Sequence, residues 1–107
     1  MCFTIKAQQY KVIDSLLNDY NIDGARAIIS KTSYKDSSEK LLDNAQYYVF
    51  TNQLDSAFIN LFNVDTLSLS PINKARYLDY LGKTHIADDD IDKGYLYSIR
   101  AKEQYLK

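Results

Sequence analysis

Apolar residues recur along most of this chain at intervals of three and four positions, which is the spacing of one face of an α-helix. The pattern is clearest after Pro71, a residue well suited to the first turn of a helix. The apolar positions that follow it are Ile72, Ala75, Leu78, Leu81 and Ile86. A second stripe starts at Ile91, and two similar pairs of stripes occupy 10–29 and 41–61. The pattern therefore predicts an all-α protein whose helices come in pairs.

The short segments between paired stripes share one pattern: polar, aliphatic, Asp, any residue, then Ala or Gly. They are 21–25, 53–57 and 90–94. Their aliphatic residues, Ile22, Leu54 and Ile91, are 32 and then 37 positions apart. A period in this range is typical of stacked helical hairpins. The sequence predicts about three antiparallel helix-turn-helix hairpins in a single domain that spans residues 1–107.

Two positions of the turn pattern, the aspartate and the small residue, have a clear physical reason. The aspartate lies in the first turn of the second helix, where free amide groups and the positive end of the helix dipole favour a carboxylate. The small residue lets two antiparallel helices approach closely, and we expect a larger side chain there to separate them. These small residues are Ala25, Ala57 and Gly94.

Charge and hydropathy exclude two classes of partner. With 13 basic and 14 acidic residues the net charge is -1, so no excess of cations attracts a nucleic acid. No apolar run approaches the ~20 residues that span a bilayer, so we expect no membrane insertion. No basic segment followed by an apolar stretch opens the chain. The cytoplasm is the favoured compartment, with the periplasm as the alternative if an export signal has been removed.

The chain resembles a tetratricopeptide repeat protein, whose unit of about 34 residues is a helix-turn-helix. The last repeat carries the likeness at Leu78, Leu81, Gly82, His85, Gly94, Ser98 and Ala101. The middle repeat matches at Leu41, Ala45, Tyr48, Ala57 and Leu61, and the first at Leu16, Ala25 and Ile29. The approximate repeats are 3–32, 37–65 and 70–107. The resemblance implies a short right-handed α-solenoid, either whole or a fragment of a longer array.

The resemblance also implies a function and a site. Tetratricopeptide domains bind extended or helical segments in a concave groove lined by the first helix of each repeat. Carried over, that groove comprises Tyr10, Asp14, Leu17, Leu42, Gln46, Val49, Arg76, Asp79, Tyr80 and Lys83. The implied function is a scaffold for a protein or peptide partner. The alternative is a self-associating structural or sensory segment of a larger signalling or regulatory protein, which would form a homo-oligomer.

Nothing in the sequence indicates catalysis. The single histidine, His85, lies on the inward face of its predicted helix and is interpreted as a packing residue. No catalytic triad, Gly-rich phosphate loop or metal-ligand spacing is recognisable. The acidic run 88–90 lies in a predicted hairpin turn, which favours a solvated helix start over a cation site. We therefore expect no enzyme activity, no cofactor and no bound metal.

Overall fold

The computed structural model describes residues 9–105, and within them the chain is all-helical, without strands. The helices are α1 (Gln9–Asn18), α2 (Ile22–Lys31), α3 (Ser37–Phe50), α4 (Leu54–Phe62), α5 (Pro71–Ala87) and α6 (Ile91–Tyr105). A 3₁₀ turn, Thr66–Ser68, lies between α4 and α5. The predicted all-α class is confirmed. The ends of the first and last predicted repeats, 3–8 and 106–107, lie outside the described residues.

The helices pack in sequence-adjacent pairs, α1 with α2, α3 with α4 and α5 with α6. The first helices of these pairs also contact each other, α1 against α3 and α3 against α5. One apolar cluster lies within the first pair, at Ile13, Leu17, Ala25 and Ile29. A second, larger cluster joins α3, α4 and α5 through Leu42, Ala45, Leu61, Val64, Tyr80 and Leu81. Helix α3 is therefore central, and side chains of α1, α3 and α5 meet across it.

The three turns that share a sequence pattern also share their backbone geometry. In the first, Tyr20 has a φ of 59°, its N–H donates to the carbonyl of Leu17, and the N–H of Asn21 donates to that of Leu16. Asn52 and Asp89 take the place of Tyr20 in the other turns, with φ values of 59° and 65°. This pair of hydrogen bonds, closed by a left-handed residue, is the Schellman ending of a helix.

The polar residue of each turn then starts the next helix. The carbonyl of Asn21 accepts from the N–H of Ala25 at 3.1 Å. The equivalent bonds join Gln53 to Ala57 at 3.0 Å and Asp90 to Gly94 at 3.0 Å. One residue thus closes the first helix of a pair and opens the second. This double role explains why the same five-residue pattern occurs three times.

The small residues allow close helix packing, as the sequence predicts. Ala25 and Ala57 are fully buried. Where α5 meets α6, a Cβ added to Gly82 would lie 2.9 Å from the carbonyl oxygen of Gly94. A Cβ added to Gly94 would in turn lie 2.9 Å from the carbonyl oxygen of Gly82 and would collide with the side chain of Ile86. The backbone of the facing helix therefore leaves no room for a side chain at either glycine.

Candidate functional site

The first helices of the three pairs form a pocket of about 160 Å³ between them. We call it the α1–α3–α5 pocket. Its lining residues are Asp14, Leu17 and Asn18 from α1, Gln46, Val49 and Phe50 from α3, and Tyr80 and Lys83 from α5. Six of the ten residues predicted to form a groove line this pocket, namely Asp14, Leu17, Gln46, Val49, Tyr80 and Lys83. The fold thus brings together side chains more than sixty positions apart in the sequence.

The pocket has a buried floor and an exposed rim. Leu17, Gln46 and Tyr80 are buried, and Val49 is half-buried. The rim consists of exposed side chains: Asp14, Asn18, Phe50 and Lys83. The resulting surface combines apolar walls with a few polar groups, which is the usual composition of a binding pocket.

The other four predicted groove residues lie elsewhere. Leu42 is fully buried in the apolar core, and Arg76 is buried with an exposed fraction of 1%. The backbone carbonyl of half-buried Tyr10 accepts a hydrogen bond from the side-chain amide of Gln46 at 2.8 Å. Asp79 pairs with Lys83, with 3.2 Å between Oδ2 and Nζ. Tyr10 and Asp79 thus support lining residues, whereas Leu42 and Arg76 are inaccessible from the groove surface.

Two lining residues, Asn18 and Phe50, were absent from the predicted groove. Each lies one helical turn after a residue that was predicted, since Asn18 follows Asp14 by four positions and Phe50 follows Gln46 by four. Helical spacing could therefore have identified both. They extend the pocket toward the carboxyl ends of α1 and α3.

A buried polar cluster around Arg76 lies against the pocket floor. One guanidinium nitrogen, Nη2, donates to Asp43 at 2.6 Å and to the side-chain carbonyl of Gln46 at 3.4 Å. Nε donates to the hydroxyl of Tyr80 at 3.0 Å. The guanidinium also lies over the ring of Tyr10, 4.8 Å from its centroid. Arg76 therefore holds two floor residues, Gln46 and Tyr80, in place.

The remaining hydrogen bonds of the cluster provide further partners for the guanidinium of Arg76 and the carboxylate of Asp43. Nη1 of Arg76 donates to Asn73 at 3.3 Å and pairs with Glu39 at 3.5 Å. The second carboxylate oxygen of Asp43 accepts from Gln9 at 3.1 Å and from the hydroxyl of Tyr34 at 2.5 Å. Among the described residues, every buried side-chain nitrogen and oxygen has a hydrogen-bond partner. The cluster is therefore saturated and has a structural role.

Electrostatics within the cluster follow from burial and from these contacts. Burial raises the pKa of Tyr80, although the guanidinium of Arg76 opposes the shift. Burial together with the bond to Asp43 raises the pKa of Tyr34. For Arg76 burial lowers the pKa, but Tyr80 and Asp43 outweigh it and the net shift is upward. At neutral pH the cluster thus contains a charged arginine and neutral tyrosines.

The two charged residues of the pocket rim, Asp14 and Lys83, differ in their ion pairing. Lys83 is paired with Asp79, whereas no cation of residues 9–105 lies within ion-pair distance of Asp14. Tyr105, at the end of α6, is affected by the same charges. Partial burial of Tyr105, which stays 45% exposed, raises its pKa to about 12, and the carboxylates of Asp79 and Asp14 add to the shift. Among the described residues, Asp14 is therefore the charged rim residue without an ion-pair partner.

His85, whose side chain could act in catalysis, has a packing role. The ring of His85 contacts Phe58, with centroids 5.1 Å apart, and stacks on Tyr97 at 5.5 Å, as expected for a packing residue.

Within the described part of the chain, no three His, Cys, Asp or Glu side chains are grouped to hold a metal ion. Over the same residues, every helix is too short or too polar to cross a membrane.

Comparison with known proteins adds no relative: no family model, curated protein or solved structure matches the chain. The α1–α3–α5 pocket is therefore the structural feature from which a function is inferred. Its floor is fixed by a saturated polar cluster, and its rim is open to solvent.

Proposed function

We propose that this chain is a tetratricopeptide-like module that binds a protein or peptide segment in a groove formed by α1, α3 and α5. The observation that carries the proposal is the α1–α3–α5 pocket, because all three first helices contribute to it. It combines apolar walls with polar groups at the rim, as recognition sites usually do.

The packing pattern supports stacked hairpins of the tetratricopeptide kind. First helices lie side by side, α1 against α3 and α3 against α5. The second helices of the first two pairs also contact the first helix of the next pair, α2 against α3 and α4 against α5. The three equivalent turns support the same interpretation. A right-handed solenoid is the arrangement we propose for these pairs.

The pocket is sized for one side chain. A cavity of about 150 Å³ holds a benzene molecule, and this pocket measures about 160 Å³. A bound segment would thus insert a single residue deeply and lie across the surface elsewhere. Such anchor residues contribute most of the binding energy in many interfaces. The bonds from Arg76 to Gln46 and Tyr80 fix the floor before binding, which lowers the entropic cost of association.

The experiment is a peptide selection followed by measurement of affinity. Peptides displayed on phage are selected against the whole chain, and the enriched sequences are titrated by calorimetry against wild type and Val49→Trp. The new indole fills the pocket, so we expect affinity to fall at least tenfold. Ile59→Trp is the matched control, since Ile59 is 61% exposed on α4 and does not line the pocket. Equal affinity for all three proteins, or no enrichment, would overturn the proposal.

A second candidate function is self-association through α6. Its outer face exposes apolar side chains at helical spacing: Ile91, Tyr95, Leu96 and Ile99, which are 47–66% exposed. A second copy could pack the same face against it, because a two-fold axis pairs a helix face with itself. Sedimentation equilibrium over a concentration series tests this candidate. A mass above the monomer that Leu96→Lys abolishes would support it, and a monomer at every concentration would reject it.

A further inference from the structure

The charges around the α1–α3–α5 pocket determine which partner chemistry it suits. On α5, Lys83 is held by Asp79 at 3.2 Å, and Arg76 is enclosed by Asp43 and Glu39. On α3, the acidic groups Asp43 and Glu39 are directed to Arg76 and leave no free charge at the pocket. On α6, Tyr105 is neutral at pH 7, since its pKa is about 12.

Of the charged residues that line the pocket, Asp14 on α1 remains. Asp14 is exposed at the rim, and no cation of the described residues compensates it. Asp14 lines the same pocket as apolar Leu17 and Val49. A ligand that places an apolar group between these two side chains can therefore bring a neighbouring cation to the carboxylate of Asp14. A ligand with an anion at that place meets repulsion instead.

We propose that the partner segment inserts an aromatic or large aliphatic side chain into the pocket and pairs an adjacent lysine or arginine with Asp14. This inference rests on the proposed function, because it specifies the chemistry of the segment bound there. Since Asp14 is exposed, the charge preference is modest, about twofold to fivefold in affinity. The apolar group contributes affinity, and the cation contributes selectivity.

Three small probes with a common phenyl ring separate these two contributions. Benzylamine is cationic at neutral pH, benzyl alcohol is neutral, and phenylacetate is anionic. Each is titrated into the isotope-labelled whole chain at low salt, and two-dimensional NMR follows the amide signals of the lining residues. We expect all three to shift the signals of Asn18, Val49 and Lys83. Affinity should decrease from benzylamine to benzyl alcohol to phenylacetate.

Variants assign the preference to its source. Asp14→Asn should retain binding of the ring and make the three affinities equal. Asp55→Asn is the matched control, because it removes the same charge from an exposed site on α4, and it should keep the wild-type order. Val49→Trp should abolish the shifts from all three probes.

The outcomes distinguish the two proposals. If the three probes bind the wild type with equal affinity, or if Asp14→Asn keeps the order, the cation preference is wrong and the groove function stands. If no probe shifts the lining residues, the pocket does not accept a side chain, and both proposals fail.

Discussion

Nη2 of Arg76 and Oδ1 of Asp43 are 2.6 Å apart in an ion pair that joins α5 to α3, and neither side chain is more than 2% exposed. The ring of Tyr10 covers the guanidinium from α1. The helices that form the pocket thus share one buried charge cluster. Geometry of the pocket floor depends on this cluster, because Gln46 and Tyr80 are bonded to the same guanidinium.

Removing one partner of this pair should destabilise the chain strongly. We expect Asp43→Leu and Arg76→Met each to lower the free energy of unfolding by about 3–5 kcal/mol, because a buried charge loses its partner. The double variant Arg76→Met/Asp43→Leu should lose much less than the sum of the single losses, since no buried charge is left unpaired. Urea unfolding followed by circular dichroism measures all three values.

Lys83→Met is the matched control for that cycle. It breaks the exposed pair with Asp79, for which a loss of less than about 1 kcal/mol is expected. If the buried-pair single variants lost no more than this control, the structural role assigned to the Arg76 cluster would be wrong.

The glycines of α5 and α6 should respond to alanine with the opposite sign from most helical glycines. Glycine in a helix is less favourable than alanine by roughly 0.5–1 kcal/mol, so the change usually stabilises. Here the added methyl group of Gly82→Ala or Gly94→Ala meets the backbone of the facing helix. We expect each to lose about 1–3 kcal/mol of unfolding free energy, measured by urea denaturation.

Gly24→Ala provides the contrast within the same chain. The three atoms nearest to its Cβ would all belong to the side chain of Asn21, which can rotate away at the expense of its hydrogen bond to the N–H of residue 24. Loss of this cap and gain in helix propensity offset each other, so we expect a change within about 1 kcal/mol. A loss at Gly82 or Gly94 no greater than this would argue against close packing of α5 on α6.

The left-handed residues of the turns allow a test of the shared turn geometry. Asn52 has a φ of 59°, a conformation that β-branched residues adopt at high cost. We expect Asn52→Val to lose about 1–2 kcal/mol of unfolding free energy, and Asn52→Gly to change it little or to stabilise. Thermal unfolding of the two variants measures the difference. Equal stability of Asn52→Val and wild type would contradict the assigned turn.

Alkaline pH should weaken the fold. Burial raises the pKa of Tyr80, and partial burial raises that of Tyr105 to about 12, whereas an unfolded tyrosine ionises near pH 10. Above about pH 10 the unfolded chain therefore binds fewer protons than the folded chain, and the free energy of unfolding falls as pH rises. For Tyr105 the fall ends near pH 12, where the folded state ionises too.

Urea titrations at several pH values measure this dependence. Tyr105→Phe should make the fall between pH 10 and pH 12 shallower, because phenylalanine cannot ionise. Tyrosinate absorbance of the folded chain, compared with the chain in urea, tests the same shift directly. A folded chain that titrates entirely with the unfolded curve would exclude the raised pKa values.

Local pattern was sufficient to predict the helices and their turns. Period and turn chemistry depend on neighbours a few positions apart, so the segments at Ile22, Leu54 and Ile91 were identified from sequence, and each does begin a helix. The groove residues were inferred from the resemblance to tetratricopeptide repeats, and six of the ten line the pocket. In these respects, local and tertiary structure agree.

Burial of Arg76 could not be predicted in this way. A charged residue on a helix is normally solvated, and only a partner in space changes that expectation. Its partner, Asp43, is 33 positions earlier and has no distinctive local pattern. Leu42 is a similar case, because its position on the groove or in the core depends on how α3 is rotated against α1 and α5. The burial of both residues depends on packing between helices and is visible only in the tertiary structure.

Hairpin arrays can usually lengthen or shorten by whole units, because each unit contacts only its neighbours. The Arg76 cluster limits that freedom, since it draws Gln9 and Tyr10 from the first pair, Asp43 and Gln46 from the second, and Arg76 from the third. Deleting the second or third pair would strand a buried charge. Evolutionary loss of the second or third pair alone would thus require simultaneous replacement of this cluster, so we expect the three pairs to be inherited together.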